Sequence, residues 1–275
     1  MTGMNVALQT VWHQAYERAL ETITSLRNHC DFKYKHDAKN ADTVYILNAF
    51  EPTVKQYTPG VDIERQAVTA GRKEIKMDQY YYFNIELDDV DAVQSVEGAL
   101  EESADEGARA LGEQGDMYVA GLIQAGVEDE TIAKITAGAV SKTNAVEKVE
   151  DAFAVLYKNN CKPNFKYYLE VVPKFYTSFR QNLTELYTNN VEMAKKGFVG
   201  KYGNALVSIE NLLPNDGTND LNVLRTGKAI AFVEQLRTTK HYEPEGSFSK
   251  AIKALYVYGA KVLNPEQICV IPTTM

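Results

Sequence analysis

The chain has 275 residues, 45% hydrophobic and 24% charged, enough for one large domain or two modest ones with a substantial core. It contains no run of 18 apolar residues and no basic start leading into an apolar stretch, so neither a membrane-spanning helix nor a secretory signal is expected. The formal charge is −8, with 37 acids against 29 bases, and such a field argues against a sequence-reading DNA-binding domain.

Residues 6–27 carry apolar side chains at steps of three and four (Val11, Trp12, Ala15, Tyr16, Ala19, Leu20, Ile23, Leu26), which predicts an amphipathic helix. The most basic local stretch follows, Arg27 to Lys39 with Lys33 and Lys35. Asp31 and Asp37 interrupt it, and it reads as a solvated mixed surface. "DTVYIL" predicts a strand. "FEPTVKQYTPGVDIERQAVTAG" then reads as a long polar excursion with turn signals at Thr58-Pro59-Gly60 and Ala70-Gly71. An excursion of this length in a compact domain is usually functional or paired with another surface.

Residues 75–87 show the clearest alternation in the chain. Ile75, Met77, Tyr81, Phe83, Ile85 and Leu87 share one face, with Gln79 as the exception. As one strand, that segment would span about 43 Å. The period then changes to 3.6. Val90, Val93, Val96, Leu100, Ala104, Ala108, Leu111, Gly115, Tyr118 and Leu122 form one stripe, predicting a helix over 90–124 of about 52 Å. Gly98, Gly107, Gly112 and Gly115 each cost about 1 kcal/mol relative to Ala in such a helix. Close approach of other backbone to a crowded groove would offset that cost.

Beyond the hinge-like Gly126 and Gly138 come shorter units. Residues 144–158 predict a helix with Val146, Val149, Phe153 and Leu156 inward. "FKYYLEVVP" predicts a strand and "KFYTSFRQNL" a second helix. "GNALVSIENLLP", "GKAIAFVEQL", "FSKAIKALYVYGAKVLNP" and "EQICVIP" add strands, giving a mixed α+β chain without an internal repeat.

Few motifs carry chemistry. No P-loop, GxGxxG, HExxH or GxSxG is present, and "GFVGKYGN" reads as a turn feeding a strand. His13, His29, His36 and His241 form no ligand pair with the cysteines. Cys30, Cys161 and Cys269 are odd in number and far apart, which predicts buried free thiols in a reducing compartment. The acids Asp88, Asp89 and Asp91 sit where the period changes. As Mg²⁺ ligands they would support an α/β enzyme, but no cation for substrate phosphates lies nearby. As helix caps Asp88 and Asp89 accept first-turn amide bonds and offset the dipole, each effect being worth about 1 kcal/mol. Capping is the better account, so no catalytic, cofactor or metal residue is assigned.

The order of these parts resembles the major capsid proteins of tailed bacteriophages. The resemblance is carried by "TVYILNAFEPTVKQYTPGVDIERQAV", "IKMDQYYYFNIELDDVDAVQS", "ARALGEQGDMYVAGLI", "FKYYLEVVPKFYTSF", "KGFVGKYGNALVSIENLLP" and "IKALYVYGAKVLNPEQICVI", and it covers nearly the whole chain. It implies an N-terminal arm over 1–41, an E-loop with flanking strands over 42–87 and a P-domain spine helix over 88–126. It further implies an axial A-domain over 127–225, strands returning through the P-domain over 226–262, and a C-terminal A-domain strand over 263–275.

The implied function is self-assembly through pentamers and hexamers into an icosahedral shell around a double-stranded DNA genome, in a virion built in the host cytoplasm. Assembly contacts would come from the E-loop residues Glu51, Lys55, Tyr57, Asp62, Glu64, Arg65, Arg72 and Lys73, and from Trp12, Tyr16 and Leu20 of the arm. The implied partners are other copies, a separate scaffolding protein, a portal, a decoration protein and non-specific contact with packaged DNA, with no membrane. An encapsulin-type compartment shell shares the same fold and is the alternative within it.

Overall fold

The alternating segments form three sheets among the described residues, and the longest helix lies against one of them. The computed structural model describes residues 26–35, 43–47, 53–57, 62, 65–66, 72–88, 99–141, 143–182, 198–245 and 249–274. The fold is α+β, as the sequence predicts.

β1 (Thr43–Leu47) and β2 (Arg72–Lys76) pair antiparallel, Val44 opposite Ile75, and form the base of the polar excursion. The segment 75–87 is not one strand. β2 stops at Lys76, and β3 (Gln79–Asp88) begins three residues later in a different sheet, paired with β11 (Ser249–Val262). The chain changes partner at Met77–Asp78, next to the position where Gln79 breaks the alternation. β11 also pairs with β10 (Ile230–Tyr242), giving the order β10-β11-β3.

The two faces of this sheet are covered differently. Ala231, Val233 and Val257 pack under Val44, Ile46, Ile75 and Met77 of the hairpin base. The opposite face carries Phe83, Phe232, Tyr256 and Tyr258 and meets α1 (Ala99–Glu128). The glycines of α1 explain how it lies so close. A Cβ on Gly107 would sit 3.0 Å from the Phe83 ring, and one on Gly115 would sit 3.4 Å from Phe232 Cζ and 3.5 Å from Arg27 Cδ. Aromatic rings from the sheet, rather than backbone, occupy the space the glycines leave.

The buried stripe of α1 also drifts from the predicted one. Ala108 and Leu111 are buried as expected, but the stripe then runs through Val119, Ile123 and Val127, leaving Tyr118 and Leu122 on its flank. The helix continues past Gly126, which is no hinge. Glu130 has φ 56, its N–H donates to Val127 O (3.3 Å), and Thr131 N–H donates to Gly126 O (3.0 Å). That is a Schellman cap with a non-glycine residue at the left-handed position. α2 (Ala145–Lys158) ends in the same way at Asn160, φ 61.

The remaining strands form a seven-stranded mixed sheet, ordered β4 (Ala133–Lys134), β12 (Ile268–Thr274), β9 (Asp220–Thr226), β6 (Tyr167–Val171), β8 (Ala205–Ile209) and β7 (Phe198–Tyr202). β5 (Gly138–Ala139) pairs with β12 beside β4. β9 was not legible as a strand in the sequence, whereas β6, β8, β10, β11 and β12 were. "GFVGKYGN" is a turn at Gly203 (φ 54), as predicted, but it joins two strands. α2 packs on β12 and β9 and against α3 (Pro173–Asn182), burying Val149, Phe153 and Leu156 with Val146 at the margin. All three cysteines are buried free thiols.

The crossing of β2 into β3 depends on Gly259 in β11. An ideal Cβ there would lie 2.0 Å from Lys76 O and 3.0 Å from Met77 Cα. Backbone cannot yield as a flexible side chain does. Gly259→Ala is therefore expected to destabilise the chain by about 3 kcal/mol, the upper end of overpacking costs, read from the urea unfolding midpoint.

Candidate assembly surfaces and the buried clamp

The excursion is held at its base and clasped partway out. The Arg72 guanidinium lies over the Tyr45 ring at 3.7 Å, and Lys73 Nζ donates to Leu263 O at 2.5 Å. Further out, the Gln66 side-chain amide closes both hydrogen bonds with the Thr53 backbone, accepting from its N–H at 3.0 Å and donating to its carbonyl at 2.8 Å. One side chain thus joins the outgoing and returning legs as a strand pair would.

Lys55, Tyr57, Asp62 and Arg65 are exposed on these legs, and Val54 is 94% exposed. Of the predicted assembly residues, Arg72 and Lys73 sit in the hairpin base. Glu51, Glu64, Trp12, Tyr16 and Leu20 lie outside the described residues. Asp88 ends β3, its backbone in register with Ser249, while Asp89 and Asp91 and the predicted cap lie outside the described residues.

Two further exposed surfaces stand out. Tyr80 and Tyr82, the latter 75% exposed, project from the face of β3 away from α1, whereas Tyr81 turns inward onto Tyr258 with ring centroids 5.8 Å apart. The outward side of α1 carries Asp105, Glu106 and Glu113, with Arg109 bonded to Glu106 at 3.4 Å.

Behind these surfaces lies a cluster of buried charge built on the segment Leu26–Phe32. The predicted solvated basic stretch is wrong at its start, since Arg27 and His29 are each 1% exposed. β6 is buried along its whole length because its two faces have different covers. Tyr167 packs on Phe153 and Tyr157 of α2, while Tyr168 and Glu170 face the N-terminal segment.

Glu170 lies opposite Val223 of β9, so Arg225 sits diagonally across on the same face. The pair meets through Arg225 Nε at 3.1 and 3.0 Å from the two carboxylate oxygens and Arg225 Nη2 at 2.7 Å from Oε1. The same guanidinium donates to Leu26 O (2.6 Å), to His29 O (3.4 Å) and to Cys30 Sγ (3.4 Å). His29 Nδ1 lies 2.6 Å from Glu170 Oε1, and its ring stacks on Tyr168 with centroids 4.2 Å apart.

Arg27 reaches the other way. Its N–H donates to Asp116 of α1 (2.7 Å), and its Nη1 donates to Glu234 of β10 and to the Tyr256 hydroxyl, both at 2.8 Å. Lys35 adds a second cation 3.2 Å from Glu234. Asp31 closes the edge of β10, accepting from Phe232 N–H (3.0 Å) and donating to Ile230 O (2.8 Å). Seven residues thereby join the long helix to both larger sheets.

Burial opposes charge on Glu170 and Glu234. Arg225 and His29 overcome it at the first, Arg27 and Lys35 at the second, and both carboxyls are held below their ordinary range. For His29 burial wins, and the imidazole is pushed toward its neutral form.

No family model and no curated protein matches the chain. Solved structures match along nearly its whole length. One from Mycobacterium phage Che8 has TM-score 0.72 and 26% identity, covering 90% of each chain. The capsid of Ralstonia phage GP4 has TM-score 0.67 and 11% identity, covering 92% of this chain and 90% of that one. A virus-like particle from Pyrococcus furiosus has TM-score 0.55 and 17% identity, covering 94% and 97%.

The chain has the tailed-phage capsid fold.

In this capsid-fold chain the exposed hairpin, the long helix and the mixed sheet follow the order that the quoted sequence phrases implied. The clamp was missed, because Arg27, His29, Glu170, Glu234 and Arg225 are scattered over the chain with no shared motif. One signal was available: Glu170 stands inside the apolar run "YYLEVV", where only a paired acid is tolerated.

Removing one member of a buried pair strands the other. Arg225→Met is expected to cost about 3–5 kcal/mol in urea unfolding. Glu170→Leu with Arg225→Met is expected to cost less than the sum of the two single changes, as a double-mutant cycle would measure.

Proposed function

We propose that the chain is a phage major capsid protein, with copies assembling as pentamers and hexamers into an icosahedral shell around double-stranded DNA. The observation that carries this is the match over about nine-tenths of the chain to phage structures, joined to an exposed hairpin in this chain on which Val54 and Tyr57 are uncovered among the described residues. In this reading the excursion between β1 and β2 is the E-loop, α1 is the spine of the P-domain with β3, β10 and β11, and the seven-stranded sheet is the A-domain at the capsomer axes. The N-terminal arm of this reading is residues 1–41, of which Leu26–Phe32 are docked in the clamp.

Charge suggests where the E-loop lies. Lys55 and Arg65 are exposed on it, and Asp105, Glu106 and Glu113 are exposed on α1. A neighbour's E-loop across α1 would bring unlike charges together and cover Val54 and Tyr57, with heterologous contacts closing into rings. A scaffolding protein, a portal, a decoration protein, non-specific DNA contact at the inner face, and assembly in the host cytoplasm belong to the same proposal. The likeness to the Pyrococcus virus-like particle supports a second reading, an encapsulin-type compartment shell. A neighbouring cargo gene would favour that reading, and terminase and portal genes the first.

Expression with and without candidate scaffolding protein, followed by size exclusion and negative-stain microscopy, is expected to give shells, capsomers or sheets. A 30.7 kDa monomer under every condition would refute both readings. Deleting residues 56–70, or reversing Lys55 and Arg65 to Glu, should leave a folded chain that assembles poorly. Normal shells from either variant would remove the E-loop assignment.

A further inference from the structure

We propose that the groove between α2 and the interrupted edge β4–β5 receives the opposite edge of the same sheet from a second copy, with Glu147 and Asp151 facing its Arg180 and Lys201. The contact deepens the assembly reading and rests on it.

The groove has a volume of about 530 Å³ and is walled by residues 134–137 on one side and by α2 on the other, from which Glu147 and Asp151 line it. Its edge strand stops at Lys134 and resumes at Gly138, both pieces paired with β12. A break of this kind blocks the addition of another strand, so an occupant is met by side chains. Glu147 and Asp151 stand one turn apart on α2 and are exposed, and neither side chain has a hydrogen bond or ion pair among the described residues. Like charges at that spacing oppose a helix, and a cation from outside would offset them. The lysines of the groove are engaged elsewhere. Lys148 Nζ donates to Thr136 O at 3.4 Å, and the charge of Lys134 reaches Asp216 in the β8–β9 loop.

The complementary charge lies across the sheet. α3 ends beside β7, where the Phe179 and Tyr202 rings meet with centroids 5.3 Å apart. Arg180 follows the one and Lys201 precedes the other. Both are exposed, and neither side chain has a hydrogen bond or ion pair among the described residues. Lys201 lies opposite Leu206 of β8, on the sheet face away from Tyr202, so the two cations flank the edge. In the order β4-β12-β9-β6-β8-β7 the two edges are separated by about 24 Å. Charges that far apart cannot meet within one chain. Between neighbours they can, and a contact joining different edges of the same chain is heterologous, the type that closes into rings. The groove alone is too small for the roughly 1,000 Å² that a lasting interface needs, so it orients neighbours that other contacts also hold.

Two charge reversals test the pairing: Glu147→Lys with Asp151→Lys, and Arg180→Glu with Lys201→Glu. All four positions are exposed, so the urea unfolding midpoints should stay near that of the wild type. Each variant alone is expected to lose about tenfold in its yield of capsomers and shells, read by size exclusion and negative-stain microscopy. Mixed one to one, the variants should recover association, because the positive groove of one then faces the negative edge of the other. Such alternation closes even-numbered rings and not pentamers, so the mixture should give hexamers and open sheets rather than closed shells. Wild-type yield from each variant alone overturns the contact and leaves the shell reading standing. No recovery on mixing also overturns it, and turns the two surfaces toward DNA or a scaffolding protein. A wild-type chain that is monomeric under every condition ends both readings. Should a reversal lower the midpoint, Glu147→Gln with Asp151→Asn takes its place and is expected to weaken the dependence of assembly on added salt. An unchanged dependence overturns the contact.

Discussion

The Arg225 guanidinium is the point on which the fold turns. It is fully buried, and its partners are a carboxylate on the neighbouring strand and the carbonyls and thiol of a segment almost two hundred residues earlier in the chain. A guanidinium with five fixed donors suits this task, because it can satisfy a carboxylate and backbone carbonyls in different directions at once. Leu26–Phe32 is not tied down by regular secondary structure beyond one 3-10 turn and a single bridge to β10. Buried charge specifies its place instead.

The same segment explains why the two larger sheets act together. Arg27 turns toward α1 and β10 while His29 turns toward β6, so side chains two residues apart in one short turn reach opposite halves of the clamp. The aromatic rings around them complete the junction. Phe232, Tyr256 and Tyr258 fill the space between β10, β11 and α1, and the Tyr258 hydroxyl donates to Gln114 O of the helix at 3.0 Å. The small residues of α1 are the counterpart of those rings. Gly107 and Gly115 cost helical propensity, and the close seating of Phe83 and Phe232 offsets that cost. In the proposed shell, an exposed hairpin needs such a rigid base, because contacts at the tip transmit load only as far as the base holds its shape.

Much of the architecture could be read from periodicity. The alternation of "QYYYFNIELD", the 3.6 period of α1 and the apolar faces of α2 and α3 each report the cover that the element receives, so their character was legible. The predicted strand 75–87 failed because its alternation passes without a break in apolar character through Met77, which packs under the hairpin base as β2 does. The handover to another sheet is a matter of partner, not of pattern. β9 was missed because "DLNVLRT" shows no clean alternation: polar Asn222 and Arg225 fall on opposite faces, each sharing its face with an apolar residue, Leu224 and Val223. Both are buried, Asn222 bonded to Val172, Ile271 and Thr273 and Arg225 to the clamp.

The mixed α+β character, the long helix, the polar hairpin and the order of parts that resembles a phage capsid protein are all written in the chain itself. These follow from local periodicity and turn chemistry, which need no knowledge of what lies across the core. Long-range packing set where Arg27, His29, Glu170, Glu234 and Arg225 meet, that the rings of Phe83 and Phe232 lie on glycines, and that β11 must carry a glycine where Lys76 and Met77 cross it. A charge or a glycine looks the same in a sequence whether it faces water or another strand. Its meaning is set by partners brought together only when distant segments pack.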